Sequence, residues 1–572
     1  MSEHRQIISG RQRHVLLLSL FGLAFAALVL RAVDLQVLKR GFLQGQADAR
    51  HLRTVSIPAH RGMILDRNGE PLAVSTPVES VWANPQELAG ARQFLPALAR
   101  LLGMEVDELQ GKLARRADRE FVYLRRQVNP TVAAQLRAMD APGVYLQREY
   151  RRYYPDGEVT AHVVGFTDID DRGQEGIELA YDDWLRGEPG AKRVLKDGRH
   201  HVIENVERIR AARPGRDLTL SIDRRIQYLA YRELKAAVQK HKARSGSVVV
   251  LDARSGEVLA MVNQPSYNPN NRARIRPARL RNRALTDVFE PGSTMKPLTI
   301  ACALESGRYG PETPVETSPG LFQVGVNTVR DMHDYGRLDV TGVIRKSSNV
   351  GAAKIALSLP AEDLWSVLAR AGFGQVTASG FPGEASGLLM DWRRWHPIEQ
   401  ATLAFGYGIS VTPLQLARAY TLFAADGRLR PVSLLRIDEA PRGESVISAR
   451  VARAVRTMME TVVQPGGTAP AARVAGYRVA GKTGTVHKSV AGGYAEDRYN
   501  AVFAGLAPAS RPRLVAVVMI SEPQAGEHFG GKVAGPVFSR VMAGALRLLN
   551  IPPDDLDPDD GVLLQAALEG PA

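Results

Sequence analysis

Ser293-Thr294-Met295-Lys296 is the only Ser-x-x-Lys in the chain. Pro291 and Gly292 precede it, and Pro297 follows, a residue that fits the first turn of a helix but not its interior. The spacing therefore predicts Ser293 at a helix N-terminus, with Lys296 one turn later on the same face. Backbone N–H groups freed at that end favour a developing alkoxide or oxyanion. A lysine made neutral by burial and a neighbouring cation can take the hydroxyl proton. Alone the pattern is weak, since average composition yields it about once or twice in such a chain.

Two more elements follow in order. Ser347-Ser348-Asn349 lies about fifty residues on, and Lys482-Thr483-Gly484-Thr485 lies far downstream in strand context. Ser347 can relay a proton to a leaving amine, and the Asn349 amide can grip a substrate backbone. Lys482 offers a cation for a terminal carboxylate, with the Thr483 and Thr485 hydroxyls beside it. Gly484 lets a peptide lie along the strand as an added strand. The N–H groups of Ser293 and Thr485 would form an oxyanion hole. Ser266-Tyr267-Asn268 has the same Ser-x-Asn form but precedes the nucleophile among prolines and asparagines, so it reads as a loop.

Elements must position these groups. Asp217 to Ile222 alternates like a strand, and Gln227 to Lys242 fits an amphipathic helix. Ser247–Leu251, the turn Arg254–Gly256 and Val258–Val262 read as a hairpin. Helices fill much of 294 to 425, and strands follow at Tyr477–Ala480, Ala501–Leu506 and Leu514–Ile520. Two strands, a helical insert and three strands imply an α+β fold, a five-stranded antiparallel sheet flanked by helices.

The chain has 572 residues, too many for one compact core. Its net charge of +14 comes mostly from scattered arginines without interleaved aromatics, which argues against nucleic acid and for an anionic membrane or wall. One cysteine, Cys302, excludes an internal disulfide and reads as a small core residue. The twelve histidines show no ligand spacing; His200-His201 reads as a surface turn, and neither metal nor cofactor is expected. Val15 to Leu30 carries no charge, and with Arg31 snorkelling the apolar run reaches Val33. Arg5, Arg11 and Arg13 before it predict a cytoplasmic N-terminus and an exported body. Ala24-Phe25-Ala26 has the form of a signal cleavage site, but Ala27 to Leu30 stay apolar beyond it, which favours an uncleaved anchor.

Ser-x-x-Lys, Ser-x-Asn and Lys-Thr-Gly in this order are the motif set of penicillin-binding proteins and class A β-lactamases. Arg61-Gly-Met-Ile-Leu-Asp-Arg-Asn-Gly69, Arg152-Tyr153-Tyr154-Pro155 with Ala161-His162, and Gly173-Gln-Glu-Gly-Ile-Glu178 resemble signatures of the class B penicillin-binding proteins. Phe289 to Pro297 and Gly406-Tyr407-Gly408 through Pro413 strengthen the match. Length, a single anchor and Ser80 to Pro85 resemble the septal, cell-division D,D-transpeptidase of Gram-negative bacteria, with the elongation-specific relative second.

The resemblance implies a cytoplasmic tail at 1–14, a transmembrane anchor at 15–33 and a non-catalytic mixed α/β pedestal, or dimerisation, domain at 34–215. A transpeptidase domain at 216–550 and a flexible tail at 551–572 complete it. It implies Ser293, Lys296, Ser347, Asn349 and Lys482 as catalytic residues, and Thr483, Gly484, Thr485, Tyr407 and Phe529 as substrate-binding. The implied partners are the D-Ala-D-Ala stem peptide and an acceptor amine, a septal glycosyltransferase with other divisome membrane proteins, the inner membrane, and β-lactams as covalent inhibitors. The implied place is the inner membrane at the septum, with the catalytic domain periplasmic. Two departures stand out: His528 where the family has another aromatic in its binding wall, and Lys196 to His201 in place of an expected turn. The rivals are a D,D-carboxypeptidase or β-lactamase, with water as acceptor, and a catalytically silent β-lactam-binding scaffold.

Overall fold

The computed structural model describes residues 10–40, 52–196, 202–273, 275–490 and 492–555. The His200–His201 turn, most of the Lys196–His201 departure, and tail residues 556–572 lie outside these. An N-terminal helix, Gly10–Val33, continues as π-helical turns through Leu38. Its 25-residue apolar stretch His14–Leu38 rises about 37 Å, longer than a hydrocarbon core of about 30 Å. The described residues divide into two compact units, one of residues 10–40, 52–60, 78–149, 187–196 and 202–214, the other of residues 61–77, 150–186, 215–273, 275–490 and 492–555.

The first unit has its own small core, in which Leu95, Leu98 and Leu102 of helix Leu95–Leu102 meet Leu109, Leu124, Val128 and Leu136. A separate antiparallel sheet joins Leu52–Ile57, Gly190–Lys196 and Val202–Arg210.

The second unit is built on one antiparallel sheet. Helix α1 (Arg224–Lys240), capped by Asp223, precedes β1 (Ser245–Asp252) and β2 (Val258–Gln264). Helices α2 (Lys296–Glu305), α3 (Asn349–Leu357) and α4 (Pro413–Ala424) follow. Strands β3 (Ala480–Val490), β4 (Gly493–Ala507) and β5 (Leu514–Ser521) and helix α5 (Gly535–Leu548) close the unit. The strand order is β2-β1-β5-β4-β3, every pair antiparallel. All eight residues of β5 are buried, so helices cover both faces: α1 packs on α5 and the sheet, and α4 crosses β1, β4 and β5. Strand β3 is left at an edge, with no further strand paired beyond it.

The five-stranded sheet matches expectation, with boundaries shifted. Val474 and Tyr477 bridge across a turn at Ala475-Gly476 (Gly476 φ +78°) and residues 478–479 are irregular, so β3 begins at Ala480 and carries the Lys482 element within it. Only Leu218–Thr219 of the Asp217–Ile222 segment is strand, parallel to Ile64–Leu65. The insert between β2 and β3 also holds short strand pairs, among them Leu321–Val324 with Asn327–Arg330.

The three distant signature segments all fold into this second unit and meet at one buried carboxylate. Glu178 accepts from Arg61 Nε at 2.8 Å and Arg152 Nε at 2.6 Å, all three side chains being essentially unexposed. Arg61 also reaches Asp182 at 2.7 Å and the carbonyls of Asp171 and Glu178, while Arg152 reaches Ser75 at 3.1 Å. Glu178→Ala leaves two guanidinium groups buried without their shared partner, and such losses cost about 3–5 kcal/mol. Denaturant unfolding should register a loss of that size; one below about 1 kcal/mol would show the network to be peripheral.

Candidate functional site

A 3-10 turn, Gly292–Met295, presents half-buried Ser293 and runs directly into α2, with Pro297 in the first helical turn. The turn is pinned from two sides: Thr294 Oγ1 donates to the Pro291 carbonyl at 2.7 Å, and the Tyr420 hydroxyl of α4 donates to the Thr294 carbonyl at 2.8 Å. Residues Lys296 to Leu304 are all buried, which is how an interior helix apolar all round behaves, and Cys302 is one of them. Lys296 is the polar exception. Its Nζ donates to the Ser347 carbonyl at 2.5 Å, to Asn349 Oδ1 at 2.8 Å and to Ser347 Oγ at 3.2 Å.

Ser347 ends the helix Val340–Lys346 in a left-handed conformation (φ +63°), which non-glycine residues seldom adopt. Ser348 then caps α3, its Oγ accepting from the Gly351 N–H at 2.9 Å. The sharp reversal puts Ser347 and Asn349 on the same ammonium. A residue that the sequence reading missed holds it in place. Asp331 accepts from Ser348 Oγ at 2.5 Å, from the Val350 N–H at 3.1 Å and from the Asn349 N–H, so its charge sits at the start of α3. Nothing in its local sequence marks it; its role comes from a hairpin returning beside the helix.

Lys482 arrives from β3, fully buried, and donates to the same Ser347 Oγ at 2.8 Å. Burial pushes its pKa down to about 7. Lys296 falls well below the usual lysine value, first through burial and then through the Lys482 charge, with Asp331 acting the other way. Two lysines thus converge on one hydroxyl, and the pair favours carrying fewer than two protons.

Thr483 shares a hydrogen bond with Thr468 Oγ1 at 2.9 Å, and Thr485 Oγ1 accepts from the Gly530 N–H at 2.9 Å. The sequence reading gives Gly484 to the substrate. The structure gives it a packing role, because a Cβ there would lie 2.8 Å from the Pro291 carbonyl oxygen and 3.2 Å from the Thr294 methyl. Its missing side chain lets β3 close onto the nucleophile turn. Gly292 (φ +56°) matches it, since a Cβ on that residue would lie 2.3 Å from Val486 of β3.

Tyr407 follows Gly406, whose carbonyl accepts from the Gly292 N–H at 3.1 Å. Its ring packs edge-on against Phe405 and Tyr494 at 5.8 and 5.5 Å. Phe529 precedes Gly530 and starts a run of rings: His528 at 4.5 Å, Tyr499 stacked on His528 at 4.2 Å, and His487 beside Tyr499 at 4.5 Å. His528 therefore fills its place in the wall as a stacked ring. Glu290, also missed, accepts from the Gly408 N–H at 2.8 Å and the Tyr494 hydroxyl at 3.0 Å. Among the described residues no cluster of His, Cys, Asp or Glu could hold a metal ion.

Residues 246–543 match the family described as the penicillin binding protein transpeptidase domain, and residues 56–220 match the penicillin-binding protein dimerisation domain. The chain is 44% identical over 563 residues to the peptidoglycan D,D-transpeptidase FtsI of Escherichia coli (strain K12), covering 98% of this chain and 95% of that protein. It is 45% identical over 534 residues to the probable peptidoglycan D,D-transpeptidase PenA of Neisseria gonorrhoeae, covering 92% and 91%. The solved TP domain of Burkholderia pseudomallei penicillin-binding protein 3 is 48% identical, with a TM-score of 0.55, over 59% of this chain and 98% of that one.

The contact at Gly484 gives a specific expectation. Gly484→Ala forces β3 from the nucleophile turn, an overpacking that costs about 1–3 kcal/mol. Covalent labelling of Ser293 should slow at least tenfold while the protein stays folded by circular dichroism. An unchanged labelling rate would show that the close approach is incidental.

Proposed function

Because the chain belongs to the penicillin-binding protein transpeptidase family, and carries its dimerisation domain too, we propose that it is a peptidoglycan D,D-transpeptidase acting through a Ser293 acyl-enzyme. The observation that supports this most is the convergence of two buried lysines on the Ser347 hydroxyl beside the nucleophile turn. Neutral Lys296 takes the Ser293 proton as Oγ attacks the penultimate D-Ala carbonyl. The N–H groups of Ser293 and Thr485 hold the oxyanion. As the C–N bond breaks, Lys296 returns the proton through Ser347 to the leaving D-Ala amine. Lys482, Thr483 and Thr485 bind the terminal carboxylate, whose charge restores a full proton to Lys482. Asn349 and the open edge of β3 align the peptide backbone, and Tyr407 and Phe529 flank it. The acceptor amine then attacks the ester, and Ser293 regains its proton.

The FtsI and PenA relatives are named D,D-transpeptidases, and the dimerisation match sets the chain apart from a soluble hydrolase. The reading extends to the septum: the N-terminal helix anchors the chain in the inner membrane, with the N-terminus inside and the residues that follow the helix outside, beside a septal glycosyltransferase and other division proteins.

A fluorescent penicillin should label the wild type at the peptide containing Ser293. Ser293→Ala should abolish labelling with a stability change of about 1 kcal/mol. Full labelling of the alanine variant would sink the assignment.

The acid limb of acylation reports Lys296, which must lose its proton to act. Asp331 raises the proton affinity of Lys296, so Asp331→Asn lowers it and should move the limb to lower pH. Stopped-flow acylation across pH reads this, and a limb moving upward would contradict it. Depletion should leave cells as undivided filaments; rounded cells would identify lateral-wall synthesis instead.

A further inference from the structure

A cleft of about 390 Å³ in the catalytic unit is lined by Arg244, Arg281, Arg283 and Lys488 among others, and none of the catalytic groups line it. The four cations form two bridged pairs. Asp287 holds Arg281 and Arg283, each at 2.6 Å, and Glu522 holds Arg244 at 3.1 Å together with Lys488. Four cations against two carboxylates leave a net positive wall, and each carboxylate is already shared. Among the lining residues, Asn500 is 7% exposed, and its Oδ1 is buried without a hydrogen-bond partner. A buried unpaired carbonyl oxygen is costly unless a donor reaches it.

The cleft's ligand must therefore offer an anion to the cations and an N–H to Asn500 Oδ1. An inorganic anion meets the first demand and a peptide acid meets both. The walls also tie the cleft to the reaction. Val288 and Phe289 lie just before the nucleophile turn, and Lys488 sits at the β-bulge of β3, three residues past Thr485 and about 10 Å along the strand.

We infer that this cleft is a second binding site, distinct from the acylation site, for the carboxylate of a peptide acid with a neighbouring N–H. The Arg281/Arg283 and Arg244/Lys488 pairs take the carboxylate, and Asn500 Oδ1 takes the N–H. Assigning that peptide to an uncross-linked stem rests on the transpeptidase reading; the site itself does not.

The test uses full-length protein in detergent with Ser293 acylated by penicillin, so the acylation site is closed. A synthetic stem tripeptide lacking D-Ala-D-Ala is titrated calorimetrically. Saturable binding is expected, weakened at least tenfold in the Arg244→Gln/Arg281→Gln double variant. Both arginines are more than half exposed, Lys488 and Arg283 still pair the two carboxylates, and retained penicillin labelling shows the variant is folded. Asn500→Leu removes the Oδ1 acceptor alone and should weaken binding as well. Equimolar inorganic phosphate should leave the tripeptide bound. Absence of binding, equal binding by the double variant, or displacement by phosphate overturns the proposal. Failure of penicillin to label Ser293 would instead strike the transpeptidase reading, and the tripeptide titration would then be run on Ser293→Ala protein.

Discussion

Removing an ammonium group from water costs several kcal/mol, and this fold removes two and points both at the Ser347 hydroxyl. That hydroxyl cannot neutralise either one. The pair settles the conflict by shedding a proton, which gives a lysine able to act as a base near neutral pH. Every other feature of the site serves to keep the two ammonium groups from escaping. Lys296 is locked on an interior helix, Lys482 is locked on a strand with two well-paired neighbours behind it, and neither exposes surface to solvent.

The tension also explains why backbone contacts are so close around Ser293. If β3 could drift outward, Lys482 would hydrate and the depression of both lysines would fade. Gly484 and Gly292 prevent this by letting main chain meet main chain and side chain without intervening atoms. Asp331 works from the other side. Its carboxylate fixes the Ser347–Asn349 reversal and returns part of the proton affinity that burial takes from Lys296. A site with the same lysines and no such anion would be poised at lower pH.

What was legible in the sequence follows from how local each signal is. The hairpin of β1 and β2, the helix before it and the three late strands announce themselves by periodicity and turn residues. Ser293 and Lys296 are three residues apart where the 3-10 turn runs into α2, so placing them near one another needs no knowledge of the fold. Ser347 and Lys482 could be paired only through an order of motifs, because tertiary packing alone brings the Lys482 ammonium to the Ser347 hydroxyl. Asp331 carried no local signal at all, and Glu290, though inside the Phe289 to Pro297 match, carried none for its partners, since each acts across a gap closed by a hairpin or a strand tip. The start of β3 was misplaced for a related reason: Tyr477 to Val479 has strand composition, but the Gly476 turn diverts it.

The same unit buries charge in a second way, and the contrast separates stability from chemistry. Around Glu178 two guanidinium groups pair with one carboxylate, with further carboxylate, carbonyl and hydroxyl partners for most of the remaining nitrogens, Arg152 Nη2 alone being left without one. Such a cluster has no proton to give at neutral pH, because arginine stays charged and the carboxylate is paired on both oxygens. At Ser347 the cations are lysines, the partners are mostly neutral, and the nearest carboxylate stands behind the peptide backbone of α3. Arginine in the first setting and lysine in the second is therefore a physical requirement. Exchanging them would make the framework titratable and the active centre inert.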